Sequence, residues 1–421
     1  MNGMQEYAEG IAKRAKDVVY EVAGKSTTEK NAALKAIADS INDHRSYIVD
    51  VNKKDLEYAL SQGKNTAYID RLTLNDQRID GMIQAIKDII ALPDPVGSGT
   101  LITRRPNGLK IQKVRVPIGV VAMIYESRPD VTSDASALTL KSGNTVILRG
   151  GKEAVNSNQA IAGSIREALE ACKFPRDAVQ LIDRTEHEIV NFLLKLDRYI
   201  DLVIPRGGEN LIRAVVEASR IPVIKHDKGV CHIYIDKSAD KAKAEAITIN
   251  AKVSRPSVCN AAETLLIHKD YPHALAVIKA LIKNKVEVRI DKKSAKHIDG
   301  LPAGLPEATE ADWTTEYLDY IISARVVKDT AEAIEHINTY GSHHSDAIVS
   351  EDYDNVQAFL DQVDSAAVYA NASTRFTDGG VFGLGAEVGI STQKLHVRGP
   401  MGLEGLTTEK WVIYGSGQIR L

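Results

Sequence analysis

Residues 254–268, SRPSVCNAAETLLIH, place a single cysteine between a polar loop and a run that is typical of a buried strand, Thr264–Ile267. Sulfur attacks as the thiolate, but a free thiol with a pKa of about 8.5 is mostly protonated at neutral pH. A neighbouring cation such as Arg255 would favour the thiolate of Cys259. Taken alone, Cys259 is more typical of a small buried side chain, since free cysteine is among the most buried residue types. Its meaning therefore depends on the rest of the chain.

The composition is that of an ordinary globular protein. The 421 residues, 44% hydrophobic and 26% charged, are enough for two or three domains. A net charge of -3 argues against a nucleic-acid or membrane-surface partner, and we expect no transmembrane segment and no signal sequence. Three widely spaced cysteines, Cys172, Cys231 and Cys259, predict neither a disulfide framework nor a metal site, and a reducing cytoplasm fits them best.

The order of predicted elements indicates an α/β protein. The first 99 residues are typical of helices, with a capping box at Ser26 and Glu29. Residues 100–116 contain Pro-Asn-Gly between two alternating stretches and predict a hairpin. Strands and helices then alternate in two successive series, which predicts two doubly wound α/β domains.

Two segments suit an anionic cofactor. Residues 143–154, GNTVILRGGKEA, end a predicted strand with Arg149 and Lys152 beside two glycines, where ligands of open α/β sheets bind. Residues 202–212, LVIPRGGENLI, end another strand at Gly207 and Gly208, whose amides at a helix start could hold phosphate. The alternatives carry equal weight: a solvated basic turn, and a turn that uses glycine for its geometry alone.

Two further polar residues are candidates on weaker grounds. Ser127 lies in YESRPD (125–130), at the end of a predicted strand, and Glu316 lies in TTEYLDYII, just before one. A salt-bridged loop and a surface carboxylate are the respective alternatives. The long Gly-rich segment 371–405 has little helix signal, and such segments are commonly functional.

Taken together, the motifs resemble the aldehyde dehydrogenase superfamily. The match is carried by VPIGVVAMIYESRPDVTSDASAL, GNTVILRGGKEAVNSN, GVCHIYID, SRPSVCNAAETLLIH, YGSHHSDAIV, NASTRFTDGG and FGLGAEVGISTQKLHVRGPMGLEGLTT. Within that superfamily the resemblance implies a branch that reduces L-glutamyl 5-phosphate with NADPH, the second step of proline biosynthesis. The implied fold is aldehyde-dehydrogenase-like, with two α/β domains and a small β oligomerisation element.

The resemblance also implies catalytic and cofactor roles. Cys259 would be the nucleophile that forms a thioester, and Ser127 stands near the place of the second oxyanion donor. Arg149 matches a ribose-contacting lysine of the family, and Glu316 matches the glutamate that holds the nicotinamide ribose. Lys152 falls where NAD-preferring relatives often have a glutamate, so a cation there favours the 2′-phosphate of NADP.

Substrate-binding residues are predicted by position and charge. A bidentate arginine suits the substrate carboxylate, with Arg375 as first choice and Arg255 as second. Asn371 and Ser373 would add hydrogen bonds. Residues 223–232, VIKHDKGVCH, lack the general-base glutamate of hydrolytic relatives, and Lys225 and His226 there could suit a phosphate.

The predicted domain boundaries follow from this fold. A cofactor domain would comprise residues 1–99 and 117–228, with a return at 381–404, and a catalytic domain residues 229–380. Residues 100–116 and 405–421 would pair as the oligomerisation element, across a homodimer or a higher homo-oligomer. An association with glutamate 5-kinase stays open.

Two rival functions remain at this stage. Another superfamily member would oxidise a free aldehyde or form an acyl-CoA, and the missing glutamate disfavours simple oxidation. The second rival is a binding protein that has the fold of an enzyme but no catalytic activity. The presence of Cys259 together with intact cofactor motifs argues against it.

Overall fold

The structure, a computed structural model, describes residues 2–225 and 228–420. It divides into two compact units: the first contains Met1–Lys225, Gly383–Gly389 and Met401–Leu421, and the second His226–Phe382 and Ile390–Pro400. Within the described residues, no helix is both long and apolar enough to span a membrane.

The first unit begins with six helices, as the sequence predicts. They are α1 (Asn2–Asp17), α2 (Val19–Ala23), α3 (Thr27–Asp43), α4 (Arg45–Ser61), α5 (Thr66–Leu72) and α6 (Asp76–Ala91). The predicted capping box is confirmed: the Ser26 hydroxyl accepts from the Glu29 amide, and the Glu29 carboxylate accepts from the Ser26 amide. This reciprocal bonding satisfies two amide groups that would otherwise lack partners at the start of α3.

A three-stranded antiparallel sheet follows from the predicted hairpin. Its strands are β1 (Thr103–Arg104), β2 (Lys110–Pro117) and the C-terminal β15 (Thr407–Tyr414). All eight residues of β2 pair with β15, from Thr407 opposite Pro117 to Tyr414 opposite Lys110. The predicted pairing across a dimer is wrong, because β2 and β15 pair within one chain. A hydrogen bond of 2.8 Å from Asn144 to the Leu406 carbonyl holds the chain where it enters β15.

The α/β part of the first unit is a parallel sheet in the order β5-β4-β3-β6. The strands are β3 (Val120–Tyr125), β4 (Thr145–Arg149), β5 (Val179–Leu181) and β6 (Leu202–Arg206), with helices α7 (Val131–Lys141), α8 (Val155–Ala171), α9 (His187–Leu193) and α10 (Glu209–Ala218). The strand order reverses between β3 and β6, where such sheets bind ligands beyond the strand ends. Helix α1 packs Ile11 and Ala15 onto one face of the sheet.

The second unit has a six-stranded parallel sheet in the order β12-β11-β7-β8-β10-β9. Its strands are β7 (Cys231–Ile235), β8 (Ala262–His268), β9 (Glu287–Ile290), β10 (Ile321–Val327), β11 (Ser345–Val349) and β12 (Ala367–Ala370). Its helices are α11 (Lys241–Val253), α12 (Ala274–Lys283), α13 (Lys292–Ala295), α14 (Thr330–Tyr340) and α15 (Tyr353–Gln362). The Gly-rich segment adds a two-stranded ribbon, β13 (Ile390–Ser391) with β14 (Gly399–Pro400). The predicted α/β class is thus confirmed.

Candidate active site

Cys259 lies at the amino-terminal edge of the second unit's sheet. Residues 254–261, here called the cysteine loop, join the end of α11 to the start of β8. Gly229 stands just before β7, and Glu316 stands before β10. Because the strands are parallel, the segments that lead into β7, β8 and β10 meet at the same edge. The Cys259 side chain is half-buried, whereas that of Cys231 is fully buried.

The backbone of Cys259 is held from two sides. A Cβ added to Gly229 would lie 1.9 Å from the Cys259 carbonyl oxygen, so only glycine allows this approach. The Cys231 thiol donates to the same oxygen at 3.2 Å. Burial raises the pKa of Cys231, so this thiol stays protonated and remains a donor. Glu316 joins the cluster because its Oε1 accepts from the Gly229 amide at 2.9 Å.

Arg375 lies across the cysteine loop. Its Nε donates to the Ser254 hydroxyl at 3.1 Å and its Nη1 donates to Asn260 Oδ1, so the guanidinium reaches both ends of the loop. Burial lowers the pKa of Arg375, Arg255 lowers it further, and Cys259 acts in the opposite direction. A second guanidinium and the sulfur are therefore both close enough to act on Arg375 electrostatically.

The segment that carries Arg375 is fixed to the residue after the nucleophile. Asn260 donates to the Thr377 carbonyl at 2.8 Å, and the Thr374 hydroxyl donates to the Asn260 carbonyl at 2.7 Å. Ser373 caps the short 3-10 turn that contains Arg375, since its hydroxyl accepts from the Arg375 amide. The structure therefore brings predicted residues Ser373 and Arg375 to the cysteine loop.

The other predicted substrate residues are placed differently. Asn371 exchanges hydrogen bonds with the backbone of Ser350, beyond the carboxyl ends of β11 and β12, with the Asn371 amide nitrogen 2.8 Å from the Ser350 carbonyl. Arg255 is exposed on the cysteine loop, and Lys225 is half-buried in the first unit. His226 lies outside the described residues.

In the first unit, Lys152 lines a small pocket at the carboxyl ends of β4 and β5, and Arg149 directly precedes the lining residue Gly150 in the chain. The pocket is also lined by Gly150, Gly151, Arg184 and Thr185. Arg149 is mostly buried and donates to the carbonyls of Gly150 at 2.7 Å and Thr185 at 3.2 Å. Burial lowers the pKa of Arg149. Lys152 is exposed at the pocket rim, so the two cations can serve different parts of a ligand.

The carboxylate of Glu126 lies against Gly207 and Gly208. The Gly208 amide donates to Glu126 Oε2 at 3.0 Å, and a Cβ on Gly207 would lie 2.4 Å from the same oxygen. The Gly208 amide, which the sequence predicts as a phosphate donor, thus has an internal acceptor in this structure. An incoming anion would have to displace the Glu126 side chain, which is exposed.

Ser127 is buried and has a strained backbone, with a φ of 49°. Its amide donates to Glu153 Oε1 at 2.9 Å and its hydroxyl to the same oxygen at 3.3 Å. Both donors of Ser127 are therefore directed to a carboxylate in its own unit.

Several residues around Cys259 escape sequence reasoning. Gly229, Cys231 and Asn260 lie within the quoted stretches GVCHIYID and SRPSVCNAAETLLIH, but no local pattern indicates the contacts that they make at the cysteine loop. Lys252 and Glu263 form a fully buried ion pair of 2.6 Å. The one signal for this pair is a carboxylate at the start of the apolar strand AETLLIH. No cluster of three or more potential metal-ligating side chains occurs in the part of the chain that the structure describes.

Comparisons with known proteins show the family to which this chain belongs. The aldehyde dehydrogenase family model matches residues 2–302. Gamma-glutamyl phosphate reductase of Aquifex aeolicus is 53% identical over 98% of this chain and 97% of its own length. The enzyme of that name from Carboxydothermus hydrogenoformans is 54% identical over 97% of this chain and 98% of its own. A crystal structure of gamma-glutamyl phosphate reductase from Thermotoga maritima, 46% identical, superposes with a TM-score of 0.94 over 98% of this chain and 100% of that one.

The two parallel α/β sheets thus have the fold of the aldehyde dehydrogenase superfamily. The extent of the matches defines the narrower group. The chain belongs to the aldehyde dehydrogenase family and, within it, to the gamma-glutamyl phosphate reductases.

Proposed function

We propose that the chain reduces L-glutamyl 5-phosphate to L-glutamate 5-semialdehyde plus phosphate with NADPH, through a thioester on Cys259, as the second step of proline biosynthesis. The observation that carries this proposal is a half-buried cysteine with the Arg375 guanidinium lying across its loop. The names of relatives that match nearly the whole chain at more than 50% identity support the choice of substrate.

The first half of the reaction is acyl transfer to Cys259. The thiolate attacks the γ-carbonyl carbon, an S–C bond forms, and the C–O bond to phosphate breaks. Nearby guanidinium groups favour the thiolate form of the nucleophile. The Cys259 amide would donate to the oxyanion of the tetrahedral intermediate. For Ser127 to add a second donor, one of its hydrogen bonds to Glu153 would have to open.

The second half needs a nicotinamide cofactor, and the donor set fits one. When bound, NADPH supplies the hydride that reduces the thioester carbon. Lys152 at the pocket rim would pair with the 2′-phosphate, and Arg149 would contact the ribose. Glu316, whose Oε1 accepts from the Gly229 amide, would hold the nicotinamide ribose. The thiohemiacetal then releases the aldehyde and regenerates the Cys259 thiolate.

Anion recognition would fall to the arginines at the cysteine loop. Arg375 is positioned by Asn260 and Ser254, so its orientation is set before the substrate arrives. Together with Arg255 it would bind the α-carboxylate, with Ser373 fixing the turn. Lys225 and His226 would bind the phosphate group of the substrate. Asn371 would act indirectly, by anchoring the segment that leads to Ser373.

The absence of a base glutamate from residues 223–232 suits a reductase, because a group that activates water would hydrolyse the thioester. We also propose a homo-oligomer that uses the outer edge of β15. The exposed side chains of Trp411, Ile413 and Tyr414 lie along that strand. The free cysteines fit a reducing cytoplasm.

The test runs the reaction backwards. Wild-type protein is given glutamate semialdehyde, in equilibrium with its cyclic form, together with NADP⁺, and NADPH formation is followed with and without phosphate. We expect a rate that requires phosphate or arsenate and is lost in Cys259→Ala. NADPH formation that is independent of phosphate would indicate ordinary aldehyde oxidation and overturn the proposal.

A further inference from the structure

We propose that the buried Lys252–Glu263 ion pair is a positioning pair that locks the cysteine loop and the Glu316 segment into one arrangement and thereby sets the affinity for the nicotinamide half of the cofactor. This inference rests on the proposed function, because it takes Glu316 as the residue that holds the nicotinamide ribose.

The pair closes the cysteine loop at its base. Lys252 is in the last turn of α11 and Glu263 is the second residue of β8, so the two flank residues 254–261. Lys252 Nζ lies 2.6 Å from Glu263 Oε2, and both side chains are 0% exposed. Neither group can therefore touch the substrate, and any effect on the reaction must act through other residues.

The second oxygen of Glu263 reaches the segment that carries Glu316. Glu263 Oε1 accepts from the Leu318 amide at 3.3 Å. Leu318 has a φ of 55°, which is strained for a residue with a branched side chain. Such a conformation persists only where the surroundings hold it in place, and it recurs at functional sites. Glu263 thus holds a strained backbone two residues after Glu316.

From Glu316 the connection returns to the nucleophile. Its Oε1 accepts from the Gly229 amide at 2.9 Å, and the Gly229 α-carbon packs against the Cys259 backbone. A continuous set of contacts therefore runs from Lys252 through Glu263, Leu318 and Glu316 to Cys259. The ion pair joins the loop of the nucleophile to the carboxylate proposed for the nicotinamide ribose.

Stability alone does not explain an ion pair at this place. Burial raises the pKa of Glu263 to about 7 and lowers the pKa of Lys252, which is the direction expected when two charges lose their water. Apolar residues of similar volume commonly stabilise a buried site as well as an ion pair does. A carboxylate, however, also accepts the Leu318 amide, which an apolar residue cannot do.

The test compares the whole cofactor with its adenine half. The double variant Lys252→Met/Glu263→Leu removes both charges, and we measure the dissociation constants of NADPH and of 2′-phospho-ADP by titration calorimetry. We expect the variant to melt within a few degrees of wild type, to bind NADPH at least tenfold more weakly and to bind 2′-phospho-ADP within twofold of wild type. The single variant Glu263→Gln keeps an acceptor for the Leu318 amide, so its loss for NADPH should be smaller.

A matched control removes another buried ion pair. Lys30 and Asp94 lie 2.9 Å apart in the first unit, and Lys30 Nζ is near Gly143, before the amino end of β4. Arg149 is at the opposite end of that strand, so Lys30→Met/Asp94→Leu should leave both dissociation constants within twofold. In addition, Glu316→Gln should weaken NADPH binding, and its effect should not add to that of the Lys252/Glu263 variant.

Three outcomes would overturn the inference. The first is an unchanged affinity for NADPH in the double variant, and the second is an equal loss of affinity for NADPH and 2′-phospho-ADP, which would indicate a general structural effect. The third is full additivity with the effect of Glu316→Gln. If the double variant does not fold, Glu263→Gln decides, with a threefold or greater loss for NADPH alone as the expected result and no selective loss as the contrary one. A wild type that binds NADPH but reduces no glutamyl phosphate would contradict the proposed reaction and leave this comparison intact.

Discussion

Gly229 and Cys259 are in such close contact that a Cβ atom on Gly229 would lie 1.9 Å from the Cys259 carbonyl oxygen. The Gly229 amide also donates to Glu316. One glycine therefore sets the distance between the backbone of the nucleophile and the carboxylate proposed to hold the cofactor. Since the opposing atom belongs to the backbone, it has little freedom to move aside.

We predict that Gly229→Ala displaces the cysteine loop. The free energy of unfolding should fall by about 2–3 kcal/mol, as for overpacked cores, and kcat/KM should fall about 10²-fold because the reacting atoms are misplaced. Urea denaturation and steady-state kinetics measure the two effects. The control is Gly163→Ala in helix α8, where an added Cβ meets nothing within 4 Å and should be neutral or stabilising. Similar behaviour of the two variants would contradict the close contact.

Arg375 provides a test of substrate recognition. Arg375→Gln should raise KM for the semialdehyde by roughly thirtyfold, equivalent to about 2 kcal/mol of lost binding. Arg375→Lys should recover only part of this, because an ammonium cannot bind a carboxylate through two parallel hydrogen bonds. Arg176→Gln, on an exposed arginine of the first unit paired with Glu170, is the control and should leave KM unchanged. An unaltered KM in Arg375→Gln would show that Arg375 does not bind the substrate carboxylate.

Lys152 tests the choice of cofactor. Lys152→Glu should lower kcat/KM for NADPH by about 10- to 100-fold, the equivalent of one charge-assisted hydrogen bond, and should change kcat/KM for NADH much less. The ratio of the two values is the measurement. Lys87→Glu makes the same charge change on the exposed face of helix α6 and should leave the ratio unaltered. Equal losses of kcat/KM for NADPH and NADH in Lys152→Glu would show that Lys152 does not bind the 2′-phosphate.

His336 predicts how stability responds to acid. Burial, then His232 and Arg325, lower the pKa of His336 to about 2. An unfolded histidine takes up a proton below its ordinary pKa of about 6.5, whereas folded His336 does not, so its contribution to stability is complete above pH 6.5 and is lost as the pH falls. Between pH 6.5 and 5 the loss amounts to about 2 kcal/mol.

The variant His336→Phe keeps a ring beside Trp313 and Tyr340 but cannot take up a proton. Its free energy of unfolding should therefore decline about 2 kcal/mol less than that of wild type between pH 7 and pH 5. Urea denaturation at several pH values gives the comparison, and exposed His187→Phe should follow wild type. Parallel curves for His336→Phe and wild type would show that His336 is protonated in the folded protein.

Local signals made much of the fold predictable. The capping box at Ser26 and Glu29 fixes the start of α3 within four residues, and the Pro-Asn-Gly turn fixes the hairpin. Strands buried on both faces, such as Val120–Tyr125, are marked by unbroken apolar runs. The sequence does not reveal that β2 pairs within its own chain, because alternation along a strand indicates that the strand pairs but not which copy supplies its partner.

The site could be predicted only where motifs carry it. The family resemblance predicts Cys259 and Glu316, and position and charge predict Arg375. The structure places Cys259 and Arg375 at one loop and Glu316 beside Gly229. The Lys252–Glu263 pair depends on the register between a helix end and a strand start, and the strain at Leu318 depends on a hydrogen bond across 55 residues. No local pattern reports such contacts. The hydrogen bonds from Ser127 to Glu153 were missed for the same reason.

The most direct measurement of the central claim is the intact mass of the protein after incubation with glutamate semialdehyde and NADP⁺ in phosphate-free buffer. The account predicts one glutamyl group per chain, mapped by peptide sequencing to Cys259, removed by added phosphate and absent from Cys259→Ser. A protein that turns over while carrying no adduct, or one that carries it on Cys172 or Cys231, would contradict the thioester on Cys259.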